Sequence, residues 1–408
     1  MIIVNKNLKV ISDAEKELKN VFEDIDRQEL INSKKVIDAF HKFKLNETDF
    51  SGTTGYGYND IGRDKIEGIF SEIFRCEDTL VRREFVSGSH ALSISLSALL
   101  RPGDTFLSIS GLPYDTMHEV IGITENSSSL KSYNINYKQI DLIDNDFDYE
   151  KIKDSLDGIK LVYIQRSKGY SLRKSLTIDK VTKVIKLVKS INPEIIIFVD
   201  NCYTEFVENC FPTEVGADVM VGSLIKNLGG GVCSHGAYVA GKRKYINLVS
   251  ERLYLPGEGK EVGPSLDSNR MFLMGLYLAP RAVSSSLKTS ALYSKILEDK
   301  GYEVSPRYNE ERCDIVLTVY LKNEENLINF AKCVQEMGPV NSFYTPVVSD
   351  MPGYKDKIIM ASPAFTTGSS IELSADAPLR EPYALFVQGG LTYSYSKLVL
   401  LNILDNLK

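Results

Sequence analysis

Lys226 follows a short apolar run, Val219-Met220-Val221, within the stretch DVMVGSLIKNLGGG (218–231). Ser223 lies three residues before it and Gly229–Gly231 lie just beyond. An amine past a buried strand and beside glycines suits a pocket where desolvation lowers its pKa and makes its nitrogen nucleophilic toward a carbonyl. Asp200 closes a second apolar run, Ile195–Val199, where a charge is costly unless it meets something positive. Ser87-Gly88-Ser89-His90 falls where a strand gives way to a helix. Small residues there let N–H groups approach a phosphate, and the helix dipole favours the anion. Tyr114, in the loop after the next strand, offers a ring to stack on a flat molecule. Each residue alone has a plain alternative: a lysine in a polar turn, a capping or salt-bridged carboxylate, an ordinary α/β turn, a surface tyrosine. Their order along the chain makes them a set.

The elements that would hold them alternate between strands and helices, as in a parallel α/β sheet with ligand residues at strand ends. Strands are expected over Thr79–Val86, Thr105–Ser110, Lys160–Gln165, Glu194–Asp200, Asp218–Val221 and His235–Ala240, with helices after His90 and over Ile178–Ile191. These lie in a large domain spanning 51–265. An arm over 1–50 precedes it, with helices at Ser12–Ile25 (Ser12 and Glu15 form a capping box) and Lys34–Phe43. Coming before any strand, the arm is expected to pack on a neighbouring subunit. Ser51–Asp60 is glycine-rich and carries Tyr56 and Tyr58, with Arg63 just beyond; it reads either as a phosphate-binding arm or as a connecting loop. A smaller α+β domain over 266–408 opens with a long helix from Arg270. Strands at Asp314–Tyr320, Lys357–Ala361 and Ser369–Leu373, a helix at Glu324–Met337 and a terminal helix at Tyr395–Leu407 follow.

With 408 residues and 43% hydrophobic content, the chain can bury a core of two-domain size. Its 54 acidic and 48 basic residues leave a net charge of −6, which argues against nucleic acid as a partner. The six cysteines are scattered with no Cys-x-x-Cys, and the four histidines are widely spaced, so no metal site is expected. No apolar run reaches membrane-spanning length. A soluble, cytoplasmic protein is the expectation.

A phosphate cradle, a stacking ring, a carboxylate for a pyridinium nitrogen and a Schiff-base lysine are together the parts needed to bind pyridoxal 5′-phosphate. The sequence resembles the aluminium-resistance, methionine γ-lyase-like branch of the Cys/Met-metabolism pyridoxal-phosphate enzymes. The likeness is carried by GYGYNDIGRDKIE (55–67), VSGSHAL (86–92), GLPYDT (111–116), LVYIQRSKGYS (161–171), FVDNCYTEFVE (198–208), PTEVGADVMVGSLIKNLGGG (212–231), SIELSADAPLREPY (370–383) and VQGGLTYSYSK (387–397). The resemblance implies fold type I, the aspartate aminotransferase-like architecture. It makes Lys226 the Schiff-base lysine, Asp200 the pyridinium partner, Tyr114 the stacking ring, and Gly88, Ser89 and Ser223 phosphate contacts, with His90 beside them. Tyr56 or Tyr58 would reach the cofactor of a neighbouring subunit in a homodimer, which in turn pairs into a homotetramer. The implied activity is carbon–sulfur lysis of a sulfur-containing amino acid, by α,β- or α,γ-elimination as in cystathionine β-lyases and methionine γ-lyases. Lys226 would move the Cα proton and Tyr114 would serve as a candidate acid. A bidentate arginine is needed for the substrate carboxylate, and Arg380 is the first choice, Arg166 the second. The segment Gln165-Arg166-Ser167-Lys168-Gly169 replaces the wider family's Glu-Thr-Pro-x-Asn-Pro. That change keeps open a pyridoxal-phosphate-binding stress protein with little turnover, and the same lysine, aspartate and phosphate cradle would also serve γ-replacement or transamination.

Overall fold

Apolar runs that end in small or polar residues, separated by segments with helical periodicity, set the architecture from residue 78 onward. The computed structural model describes residues 6–351 and 353–407. The first strands are β1 (Asp78–Arg82), β2 (Thr105–Ser108), β3 (Asn136–Gln139), β4 (Ile159–Gln165), β5 (Ile196–Asp200), β6 (Val219–Ser223) and β7 (Ala237–Gly241). Among the described residues they form one sheet in the order β1-β7-β6-β5-β4-β2-β3. Strands β2 to β6 pair in parallel, and β7 is antiparallel to both β6 and β1. A second, fully antiparallel sheet has the order β10-β11-β12-β9-β8, from β8 (Glu303–Ser305), β9 (Val316–Tyr320), β10 (Ile358–Ala361), β11 (Ser374–Pro378) and β12 (Ala384–Gln388).

The helices are α1 (Lys6–Glu17), α2 (Lys19–Lys42), α3 (Ile61–Phe74), α4 (Gly88–Leu99), α5 (Met117–Ile121), α6 (Tyr149–Asp154), α7 (Ile178–Ile191), α8 (Arg243–Leu253), α9 (Ser268–Asp299), α10 (Glu324–Glu336) and α11 (Tyr393–Asn406). Helix α7 shows how local sequence sets them. Thr177 caps its first turn through the Lys180 N–H, and Val181, Val184, Ile185 and Val188 form its buried stripe. Helix α9 ties the two sheets together. Phe272, Leu273, Leu276 and Val283 join the core that contains Met220 and Tyr238, while Leu292, Ile296 and Leu297 join the core under the antiparallel sheet. No helix among the described residues is long and apolar enough to cross a membrane.

Three expectations change here: Ser12 lies inside α1 and so does not cap a helix, and the second helix begins at Lys19 rather than Lys34. The N-terminal helices pack on their own chain: Ile11, Ala14 and Leu18 lie in the core with Ile296, and Val36 and Ala39 lie in the core with Phe70 and Leu276. Their apolar stripes needed a partner, and α9 and α3 supply it; residues 1–5 of that arm lie outside the described residues. The strand expected at Ser369–Leu373 instead forms at Ser374–Pro378. The run SADAP lacks the large apolar residues that mark a strand, yet all five of its residues are buried between β10 and β12.

Candidate active site

Register brings the chemistry to one edge of the first sheet. Gln165 pairs with Asp200, and Asp200 with Val221, so the carboxyl ends of β4, β5 and β6 lie side by side. That edge is where open α/β sheets hold ligands. Helix α4 starts at the same edge. Ser87 accepts from the His90 N–H, and a side chain at Gly88 would stand 3.2 Å from both Cys202 Sγ and Ser223 Cβ. Gly88 is thus pressed against the ends of β5 and β6. Ser223 is fully buried, and its Oγ has no hydrogen-bond partner, which is uncommon for a buried hydroxyl. Ser89 Oγ shares a 2.7 Å hydrogen bond with Thr116 Oγ1. His90 Nδ1 accepts from the Val86 N–H at 3.1 Å, and burial lowers its pKa. Its ring is therefore engaged by the loop that leads into α4.

The Lys226 amine donates to Ser370 Oγ at 3.1 Å and stands 3.8 Å from the centre of the Tyr203 ring. Burial works to lower its pKa, but Tyr203, Cys202 and Asp200 outweigh burial, and the net direction is upward. The lowered pKa expected from desolvation does not develop, because neighbouring groups favour the charged amine. Asp200 is buried. It accepts from the Cys202 N–H at 3.1 Å and from the Tyr163 hydroxyl at 3.4 Å. Burial raises its pKa by more than Cys202, Lys226 and Tyr163 lower it, so it is a carboxylate short of positive charge.

Tyr114 is held through its N–H by Gln165 Oε1 at 2.7 Å, and its hydroxyl meets that of Tyr354 at 2.6 Å. Burial, then Tyr203 and Tyr354, push its pKa far up, so the phenol keeps its proton. Tyr170 and Tyr354 stand edge-on to the Tyr114 ring, with centroids 5.7 and 6.2 Å away. Behind them Asp376 on β11 accepts from the Tyr170 hydroxyl and from Gln388 Nε2, both at 3.2 Å on Oδ2.

The remaining residues divide. Arg166 is 1% exposed and its nitrogens are occupied by Asn201, Thr204, the Leu176 carbonyl and an ion pair with Glu208. It braces the β5 exit and has no fork to offer a substrate. Arg380 pairs with Asp356 at 2.5 Å with its side chain 54% exposed, and it acts electrostatically on Asp115, the neighbour of Tyr114. It thus stands on the outer side of the tyrosine group. Tyr56 and Tyr58 are 68% and 51% exposed and stack on each other at 5.5 Å. Arg63, by contrast, is buried with Nη1 bound to the Gly57 and Gly263 carbonyls, so it shapes the loop from behind. Gly229–Gly231, just beyond Lys226, are packed tightly. A side chain at Gly229 would fall 1.7 Å from the Leu224 carbonyl oxygen, and one at Gly230 2.5 Å from that of Gly275. The glycines let the Lys226 loop fold against α9.

Sequence reasoning passed over Tyr203, Tyr170, Tyr354, Ser370 and Asp376. Tyr203 sits inside the quoted FVDNCYTEFVE motif, three residues past Asp200, and that proximity was its signal. Ser370 and Asp376 sit inside the quoted SIELSADAPLREPY motif, whereas Tyr354 lies in none of the quoted motifs and carries no local signal.

Several known proteins are similar to this chain in sequence and fold. The methionine gamma-lyase family model matches residues 7–408. The protein YnbB of Bacillus subtilis (strain 168) is 43% identical over 98% of this chain and 96% of its own length. A carbon-sulfur lyase involved in aluminum resistance from Clostridium novyi NT superposes with a TM-score of 0.94 at 44% identity, over 98% of this chain and 96% of that one. A Listeria monocytogenes protein described as a candidate cystathionine beta-lyase involved in aluminum resistance gives 0.96 at 41%, over 98% and 100%. The mostly parallel sheet joined to a separate antiparallel one is the fold type I architecture. With a match running the length of the described residues, the chain belongs to the methionine gamma-lyase family, in its aluminium-resistance branch.

Proposed function

We propose that the protein is a pyridoxal-phosphate-dependent carbon–sulfur lyase that acts on a sulfur-containing amino acid, with Lys226 as the covalent attachment point of the cofactor. One observation carries the reading: the unpartnered, buried Ser223 hydroxyl faces the first turn of α4 at Gly88, between Asp200 and Lys226 in the chain. A phosphate would satisfy that hydroxyl and draw on the α4 N-terminus. A protonated ring nitrogen would give Asp200 the positive partner it lacks. Gly88, Ser89 and Ser223 would hold the phosphate, Asp200 the ring nitrogen, and Tyr114 the ring face. When bound, the cofactor supplies an electron sink for the pair left at the substrate α-carbon.

The chain's own residues do the rest. Lys226, already resting between Ser370 and Tyr203, takes the α-proton and returns it. Asp200 would keep a proton on the ring nitrogen, and Tyr114, which holds its proton in the free chain, would pass it to the leaving thiolate where the positive charge of the bound cofactor offsets the burial that raises its pKa. Arg380 receives the substrate carboxylate once it exchanges Asp356 for it. Tyr56 and Tyr58 reach the phosphate held by a second copy in a homodimer, and pairs of dimers assemble further. The exposure of both rings, together with Ile61 at 73% and Val86 at 78%, supports a covered face there. The test is to incubate the purified protein with cystathionine, cysteine, homocysteine and methionine and to assay keto acid and thiol. Both products should appear in equal amounts with at least one of them and vanish in Lys226→Ala. Amino transfer to an added keto acid without thiol would overturn the lyase assignment.

A further inference from the structure

A cavity of about 300 Å³ lies where the segment after β4 meets the connection from β8 to β9, and none of its lining residues belongs to the candidate active site. Lys168, Lys174, Lys180 and Arg312 line it, against Glu310, Glu311 and Asp314. Two of these acids are already engaged. Glu310 pairs with Lys174 at 2.9 Å. Asp314 accepts from the Ser167 hydroxyl at 2.8 Å, from the Ser175 hydroxyl and from the Val316 N–H at 3.1 Å. Glu311 is exposed. Lys168 is 3% exposed, and its amine donates to the Ser305 carbonyl at 2.7 Å. Lys180 donates to the Asn145 carbonyl at 2.7 Å, and Arg312 to the Ser290 and Ser294 hydroxyls and the Tyr308 and Glu310 carbonyls. Among the described residues no ion pair reaches Lys168, Lys180 or Arg312. A buried ammonium without a counter-charge is costly. Burial pushes the Lys168 amine down to about 8, although Asp314 and Cys313 pull the other way, and burial lowers Arg312 as well. Thr177, the cap of α7, lines the same cavity. Glu208 takes the Ile178 N–H, and the rest of that helix end adds partial positive charge.

We propose that this cavity binds a small tetrahedral oxyanion, with inorganic phosphate as its type, held by the amines of Lys168 and Lys180 between the segment after β4 and the β8–β9 connection. Ammonium groups act as point charges and suit such an ion, whereas a planar carboxylate is better matched by a free guanidinium fork. Arg312 has spent its fork on hydroxyls and carbonyls, so it contributes charge alone. The segment that carries Lys168 begins at Gln165, which holds the Tyr114 N–H at 2.7 Å and donates to the Ser167 carbonyl at 2.9 Å. The bound anion thus braces the stretch on which Tyr114 is mounted. The competing role for Lys168 is structural, as a tie to the Ser305 carbonyl.

Inorganic phosphate separates the two when titrated calorimetrically into the protein saturated with pyridoxal phosphate, whose own phosphate then occupies the turn at Gly88 and Ser223. Phosphate should bind saturably beyond a chloride control of equal ionic strength. Lys168→Met, similar in length but uncharged, should weaken it at least ~10-fold, the scale of a lost charged hydrogen bond. Lys180→Gln, at the half-buried rim, should weaken it several-fold. No binding beyond the chloride control overturns the proposal. Phosphate affinity within about two-fold of wild type in Lys168→Met overturns it in favour of the structural tie. Undiminished affinity in Lys180→Gln overturns it too, and that rim variant decides the matter alone if Lys168→Met does not fold.

Discussion

Ser223 and Tyr203 bear on the site in opposite ways. The Ser223 hydroxyl is buried and unpartnered in the free chain, an arrangement that costs about 1–3 kcal/mol. Ser223→Ala should therefore leave the melting temperature of the cofactor-free protein unchanged or raise it, while weakening pyridoxal phosphate roughly 10-fold by loss of one hydrogen bond to a charged group. Calorimetry and a cofactor titration on the same preparation read both effects. A fall in both would mean that the hydroxyl serves the fold instead. Tyr203 holds the amine by its ring face, 3.8 Å away. Removing the ring costs about 1–2 kcal/mol of preference for the charged amine. The pH profile of reductive methylation at Lys226 should thus move to lower pH in Tyr203→Leu, and less far in Tyr203→Phe, which keeps the ring face but loses the hydroxyl that also favours the charged amine. These residues also mark how far sequence reaches. Asp200 and Ser223 close buried strands and Lys226 follows one, and that position is visible as an apolar run ending in polar residues. Tyr354 and Asp376 meet them only through the packing of the second sheet, which no local pattern encodes.

At the scale of elements, α4 and the loop after β6 make the contrast between a helix end used for binding and a loop used for packing. Gly88→Ala sets a methyl 3.2 Å from Cys202 Sγ and Ser223 Cβ, just where the helix N-terminus would approach an anion. The substitution should reduce cofactor affinity by several-fold with little change in folding, as binding to the cofactor-free protein would report. Gly229→Ala meets the Leu224 carbonyl oxygen at 1.7 Å. Backbone cannot yield there, so soluble expression should collapse. Helix boundaries such as Ile178–Ile191 were legible because a threonine cap and a regular stripe coincide. Strand β11 was not, because SADAP is buried by its neighbours rather than by its own side chains.

For the whole molecule, the buried acids set the dependence on pH. Burial raises Glu205 from 4.5 to about 8 and Asp376 from 3.8 to about 7. Between those limits the folded chain binds more protons than the unfolded one, so stability falls as pH rises from about 4 to about 8. The contribution is full below the unfolded values and lost as each group ionises in place. Glu205→Gln, which keeps an acceptor for the Tyr238 hydroxyl now 2.9 Å away, should flatten that slope by an amount on the order of 5 kcal/mol across the interval. Denaturant melts of the cofactor-free protein at three pH values would measure it. The N-terminal helices, α9 and both sheets form joined cores, and all of this architecture serves to bring one lysine to one sheet edge. The most direct test is borohydride reduction of the protein purified with pyridoxal phosphate, followed by peptide mass mapping. The account predicts a reduced pyridoxyl adduct on Lys226 and none in Lys226→Ala. An adduct on another lysine, or its persistence in Lys226→Ala, would contradict it.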